Sequence, residues 1–338
     1  MSKLDIGIDL GTTSIIVYMT NKGIILREPS VVAYNQKTNR IEAVGEEAYN
    51  MLGKTPAHIT AQKPIADGVI SDYVITENMI AYFIKKVAKS FFFKPRVAIC
   101  VPTCVSGVEA GAVVDSARAA GARKIFLIEE PIAAAIGAGM DISKPQGQMV
   151  VDIGGGTADV AVLSLGGIVC SESVKAAGNK FDEAVAKEVQ SKSKIYIGER
   201  MAEKVKIQIG CVMPSKENVS IEIKGRHTLS GLPQSETIDS LYIMDAMRAV
   251  AFEIIDAIKK VLEKTPPELS GDIKQHGMVL TGGGALIRGL PELILQETGV
   301  TARVADEPLD CVAIGTGRCF EFIEDLKDGF SQRTPMKR

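Results

Sequence analysis

Residues 148–176 read QMVVDIGGGTADVAVLSLGGIVCSESVKA, and residues 4–34 read LDIGIDLGTTSIIVYMTNKGIILREPSVVAY. The two stretches share one plan. In the later stretch, a strand over 149–153 ends beside Asp152. A Gly154-Gly155-Gly156-Thr157 turn follows, then a β-branched strand over 160–165, a Gly166-Gly167 turn and a third strand over 168–174. In the earlier stretch, a strand over 4–10 carries Asp9, a Gly11-Thr12-Thr13-Ser14 turn follows, and a strand over 15–20 leads through Asn21-Lys22-Gly23 into a third strand. Aligning Asp9 with Asp152 puts a glycine-containing turn after each and a hairpin beyond it. The chain is therefore read as a duplication.

Each half continues in alternating units. Strands are predicted over 97–101 and 124–128, with helices over 108–119 and 132–138. In the second half the strands fall over 278–281 and 302–304, and the helices over 285–297 and 311–326. Alternation of this kind predicts an α/β protein with one helix-flanked sheet per half. Two more helices follow from apolar period. One has Thr76 as its cap and Ile80, Phe83, Ile84, Val87 and Phe91 on one face; the other carries Ile243, Met247, Val250, Ile254, Ile258 and Val261 and stops at Pro266-Pro267.

A length of 338 residues exceeds one compact core. Hydrophobic residues make up 46% and charged residues 24%, the balance of a globular chain. A net charge of −2 gives no footprint for nucleic acid. No apolar run approaches the roughly 20 residues that span a bilayer. Met1-Ser2-Lys3-Leu4-Asp5 runs straight into a strand, so no signal peptide is expected. The six cysteines are scattered, and Cys100 and Cys104 lack redox or zinc spacing, which predicts reduced thiols. The three histidines lie too far apart in sequence to suggest a zinc site.

A glycine-rich turn after a strand lets backbone N–H groups approach phosphate oxygens, and threonine hydroxyls add donors. An aspartate at the strand end can hold Mg²⁺ or its waters. One such turn is as readily an ordinary hairpin. Two with matched aspartates, plus a third at Thr281-Gly282-Gly283-Gly284, point to a nucleotide clamped between the halves. The Walker spacing is absent, and both Asp-Gly turns open hairpins rather than the helix a dinucleotide fingerprint requires.

These motifs resemble the phosphate and adenosine motifs of the actin, sugar kinase and heat-shock ATPase superfamily. Further stretches are similar to the MreB/Mbl family of bacterial actins, among them Phe126-Leu-Ile-Glu-Glu-Pro-Ile-Ala-Ala-Ala, Ile197-Gly-Glu-Arg and Gly277-Met-Val-Leu-Thr-Gly-Gly-Gly. The resemblance runs from about residue 4 to 326. It implies a duplicated ribonuclease H-like (actin-like) fold: subdomain IA from 1–32, 72–145 and 315–338, IB from 33–71, IIA from 146–181 and 245–314, and IIB from 182–244. It also implies ATP or ADP with Mg²⁺ near Asp9 and Asp152. Gly11, Thr12, Thr13, Gly154, Gly155, Gly156, Thr157 and Gly178 would surround the phosphates, and Gly282, Gly283 and Gly284 the adenosine.

Glu203 and Lys206, three apart on one helical face, match ribose positions; a solvated ion pair is the plain alternative. Glu130 matches a proposed catalytic glutamate, with Glu129 as its chemical rival, and Thr157 matches a residue that positions water. Ala158-Asp159 departs from the family's Thr-Glu, and Ala177-Gly178-Asn179 from its Gly-Gly-Asp.

Lys89, Phe91, Phe92, Phe93 and Lys94 suggest a small loop dipping into an anionic membrane, or else a buried corner. The function implied is a cytoplasmic, membrane-peripheral filament protein that organises cell shape and wall synthesis. Its partners would be other copies of itself and membrane proteins of the elongation machinery. It would be a slow ATPase, not a metabolic enzyme. A plasmid-partition actin, a chaperone ATPase and a small-molecule kinase stand as alternatives.

Overall fold

The computed structural model describes residues 5–66, 68–88, 94–103, 105–214, 219–321 and 330–332, leaving aside the side chains of 88 and of 330–332. Two mixed sheets are built alike. In the first, Gly23–Pro29, Ser14–Met19 and Asp5–Leu10 form an antiparallel meander, and Arg96–Val101 and then Lys124–Glu129 add in parallel. In the second, Gly167–Val174, Ala158–Ser164 and Gln148–Ile153 form the meander, and Met278–Thr281 and Ala302–Val304 add in parallel. The strand order matches, and each meander shifts register in its second hairpin, at Val17/Tyr18 and at Val162/Leu163. Phe330–Gln332 extends the first sheet by pairing with Lys124–Glu129.

The inner strands of both sheets bury both faces, so they read as apolar runs. Between them lie two helices, Glu130–Gly137 and Cys311–Arg318. Ile132 to Ile136 and Val312 share one cluster with Ala98, Phe126 and Ile128 of the first sheet and Val150, Ala161 and Leu163 of the second. These helices approach so closely that a side chain at Gly315 would strike the Ala133 carbonyl, and one at Gly137 the Cys311 backbone. A run of alanines and glycines thus sets the spacing of the two lobes.

Smaller sheets sit beyond each lobe. Val32–Asn35 lies between Arg40–Val44 and Ile59–Gln62. Ser220–His227 lies between Ile195–Tyr196 and Pro233–Asp239. Ile221 and Ile223 are buried there while Glu222 and Lys224 are exposed, a period of two.

Some expected elements differ. The helix assigned a Thr76 cap begins earlier, at Tyr73, and Asp72 accepts from the Ile75 N–H at 3.0 Å; Thr76 is interior and donates to the Pro64 carbonyl. The single helix expected over 285–297 is a 3₁₀ turn, Gly283–Leu286, followed by the helix Leu290–Thr298. Gly289 at φ +82°, with Pro291 after it, breaks the run. Cys311–Arg318 passes into a 3₁₀ turn at Cys319–Glu321, and the remainder of the helix expected to 326 lies outside the described residues. Phe91, Phe92 and Phe93 lie outside the described residues, as does Cys104. The five described cysteines are free.

Candidate functional site

The two hairpin turns face one another across a cavity of about 450 Å³, a size suited to a small ligand. Asp9, Gly11, Thr12 and Thr13 line it from one lobe, and Asp152, Gly154, Gly155, Gly156, Thr157 and Gly178 from the other. Glu130, Glu203, Lys206, Gly282, Gly283 and Gly284 complete the set expected from sequence. Glu129, the rival acid, is not part of the lining.

Local bonds hold each turn. The Ser30 N–H donates to the Thr13 carbonyl at 2.9 Å, tying the first turn to the third strand of its meander. In the second turn the Gly154 N–H donates to the Thr157 carbonyl at 2.9 Å. The N–H groups of Gly178 and Asn179, at the start of the helix Gly178–Ser193, donate to the carbonyls of Gly154 and Gly155 at 3.0 and 2.7 Å. The turns approach so closely that a Cβ on Gly155 would overlap the Thr13 hydroxyl. Gly282 is required twice over: its φ is +76°, and a Cβ there would meet the Ile153 carbonyl and, at 3.0 Å, Asp152 Oδ1.

The electrostatics are unbalanced toward negative charge. Asp9 opens onto the cleft yet is surrounded by protein, and burial, with the charges of Asp152 and Asp310 adding to it, pushes its pKa up to about 8. Burial pushes Asp152 up to about 7, against a hydrogen bond that Thr281 Oγ1 donates to its Oδ1 at 2.7 Å. Glu130, at the corner between its strand and helix, is raised well above the usual range by burial and by Asp159, Asp152 and Asp9. Burial raises Asp159 too, whose neighbours include Ser173, Thr157 and Glu130. Carboxylates that raise one another's pKa in a desolvated cleft call for a cation. Asp9 and Asp152 fit a divalent ion: among the described residues no positive side chain acts on either, and a cation would supply that charge.

At the other end of the cavity, Lys206 Nζ donates to the Gly178 carbonyl at 3.1 Å and pairs with Asp182 at 2.9 Å. It is thus no partner of Glu203, and the plain reading as an ion pair between those two falls. Asp182, pushed up to about 6 by burial with Lys206 opposing, gave no local signal, since it lies 24 residues from its partner. Glu203 Oε2 instead accepts from the Tyr49 hydroxyl at 3.0 Å, a residue the motif reading did not reach. Ile207, Leu286, Ile287 and Leu309 give this end an apolar wall.

Two lobes of one topology around a cleft lined by paired Asp-Gly turns define an actin-like protein. The chain belongs to the MreB/Mbl protein family, whose model matches residues 3–328. It is 50% identical over 323 residues to the cell shape-determining protein Mbl of Bacillus cereus, covering 95% of this chain and 97% of that one. It is 47% identical over 326 residues to the cell shape-determining protein MreB of Escherichia coli K12, covering 95% and 94%. Among solved structures it is similar to MreB 5 of Spiroplasma citri bound to AMPPNP, with a TM-score of 0.89, 36% identity and coverage of 96% and 98%. Among the described residues no helix is long and apolar enough to cross a membrane.

Proposed function

We propose that this chain is an ATP-dependent bacterial actin that assembles into filaments on an anionic membrane surface and organises cell shape and wall synthesis. One observation carries the reading: two equivalent Asp-Gly turns face each other across one cavity, each backed by an aspartate that the protein surrounds. The AMPPNP bound to the Spiroplasma citri relative supports a nucleoside triphosphate as the ligand. Gly11–Thr13 and Gly154–Thr157 would hold its phosphates, Asp9 and Asp152 its Mg²⁺, and Gly282–Gly284 the adenosine, with Glu203 and Lys206 toward the ribose. The small sheets would then belong to inserted subdomains over 33–71 and 182–244.

Mg²⁺, when bound, neutralises charge on the phosphates. The chain's own part in hydrolysis would fall to Glu130: burial among other acids makes it a strong base, and once bound positive charge offsets those acids its ionised carboxylate would accept a proton from a water held by Thr157. Asp159 crowds Glu130 with a second acid, which fits slow turnover coupled to assembly. Phe91, Phe92 and Phe93 would touch lipid. A single short loop binds weakly, and a filament that repeats it would bind firmly. Membrane proteins of the elongation machinery are the further partners this reading names.

Light scattering and electron microscopy with Mg²⁺ and ATP, with and without anionic liposomes, test the proposal. Filaments that recruit to the liposomes are expected. Absence of filaments under both conditions, with phosphate passing to a small metabolite, would overturn it in favour of a kinase.

A further inference from the structure

Glu203 is held from the opposite lobe. Tyr49 lies on the short helix Glu46–Met51, beside the small sheet of the first lobe, and its hydroxyl donates to Glu203 Oε2. Arg200, three residues before Glu203 on the helix Glu199–Ile209, places its guanidinium 4.7 Å from the centre of the Tyr49 ring. Tyr49 and Glu203 are both half-buried. Burial first, and then the Glu203 charge, raises the Tyr49 hydroxyl, which keeps its proton and remains a donor. A second contact crosses the cleft nearby, where Lys63 Nζ donates to Asn179 Oδ1 at 3.3 Å.

A carboxylate accepts at both oxygens, and an exposed one samples several rotamers. Tyr49 occupies Oε2 and so fixes the rotamer of Glu203, leaving Oε1 for a donor from the cavity that Glu203 lines. We infer that Tyr49 is a positioning residue for the nucleotide ribose: it orients Glu203 from across the cleft, so that recognition of the sugar hydroxyl and closure of the lobes reinforce each other. This rests on the reading of Glu203 as the ribose acceptor. Loss of the Tyr49 hydroxyl frees Glu203 to turn away, and loss of the sugar hydroxyl leaves the clasp nothing to orient toward. The two losses therefore overlap rather than add.

The test measures the affinity of the full chain, with Mg²⁺, for ATP, 2′-deoxy-ATP and 3′-deoxy-ATP in the unaltered protein, Tyr49→Phe and Glu203→Gln. The unaltered protein should prefer ATP to one of the deoxy forms by about tenfold, the worth of a hydrogen bond to a charged acceptor. Glu203→Gln should reduce that preference to about twofold or less, and Tyr49→Phe should reduce it by about threefold and speed ATP release. Tyr49→Phe keeps the ring under Arg200, so it should fold cooperatively, with a melting temperature lowered only by the one half-exposed hydrogen bond it loses.

If Tyr49→Phe weakens ATP and deoxy-ATP equally, or leaves the preference intact while Glu203→Gln abolishes it, Tyr49 does not act through Glu203 and the inference is overturned. If the unaltered protein shows no preference, or Glu203→Gln retains it, the assignment of Glu203 to the ribose fails, and the inference fails with it.

Discussion

Asp9 and Asp152 occupy the same place in two copies of one hairpin, yet their surroundings differ. Asp152 sits beside the parallel strand Met278–Thr281, and the Thr281 hydroxyl donates to it at 2.7 Å. Asp9 sits beside Arg96–Val101, receives no such bond among the described residues, and is repelled by Asp310 as Asp152 is by Asp159. The outcome is a pKa of about 8 for Asp9 against about 7 for Asp152. Duplication kept the scaffold and the acid while the neighbouring strand changed the acid's environment. Asp9 is the carboxylate with more to gain from a cation.

The largest expected effect tests the comparison from outside both turns. Glu130→Gln should slow phosphate release by about 10²–10⁴-fold while nucleotide affinity stays unchanged. A variant that hydrolyses normally would return the chemistry to the turns themselves.

Removing the aspartates one at a time comes next. Asp9→Ala should weaken Mg²⁺-dependent ATP binding by roughly thirtyfold or more, as loss of one partner from a buried charged contact does. Asp152→Ala should cost less by titration calorimetry, because Asp152 already has a donor. Equal losses would break the asymmetry.

Thr281→Val, which keeps the shape and removes the hydroxyl, should destabilise the nucleotide-free protein by about 1.5–3 kcal/mol in denaturant titration at pH 8, where Asp152 is ionised. It should also move Asp152 toward the behaviour of Asp9. Unchanged stability would mean the bond contributes nothing to the difference.

The last effect is in pH. Both acids titrate higher folded than the usual 3.8, so the folded state holds more protons than the unfolded one between those limits. Stability from these groups is therefore present at low pH and declines as pH rises, until about 7 for Asp152 and about 8 for Asp9. Melting temperatures of the metal-free protein should fall across this window, and Asp9→Asn should flatten the upper part of it. A rising curve in the unaltered protein would contradict the assigned shifts.

Much of this was legible beforehand. The two meanders and their aspartates could be read because strand–glycine turn–strand is a local pattern, repeated with little change. The helix expected over 285–297 failed because apolar period alone does not register the backbone that Gly289 adopts. The Thr76 cap failed because Asp72, four residues earlier, is the better acceptor for the helix's first N–H groups. Asp182, Tyr49 and the Thr281 hydroxyl escaped notice for a different reason. Each acts on a residue 24 or more positions away, and no sequence period reports such a pairing.

The sequence by itself determined the duplication, the family and the glycine turns and aspartates of the cavity wall, because these rest on short-range pattern and residue type. Only the tertiary structure decided which charges are left uncompensated and which lobe holds Glu203. Those depend on desolvation and on contacts across the cleft, and both exist only once the two lobes have been set at their spacing by the alanine and glycine helices between them.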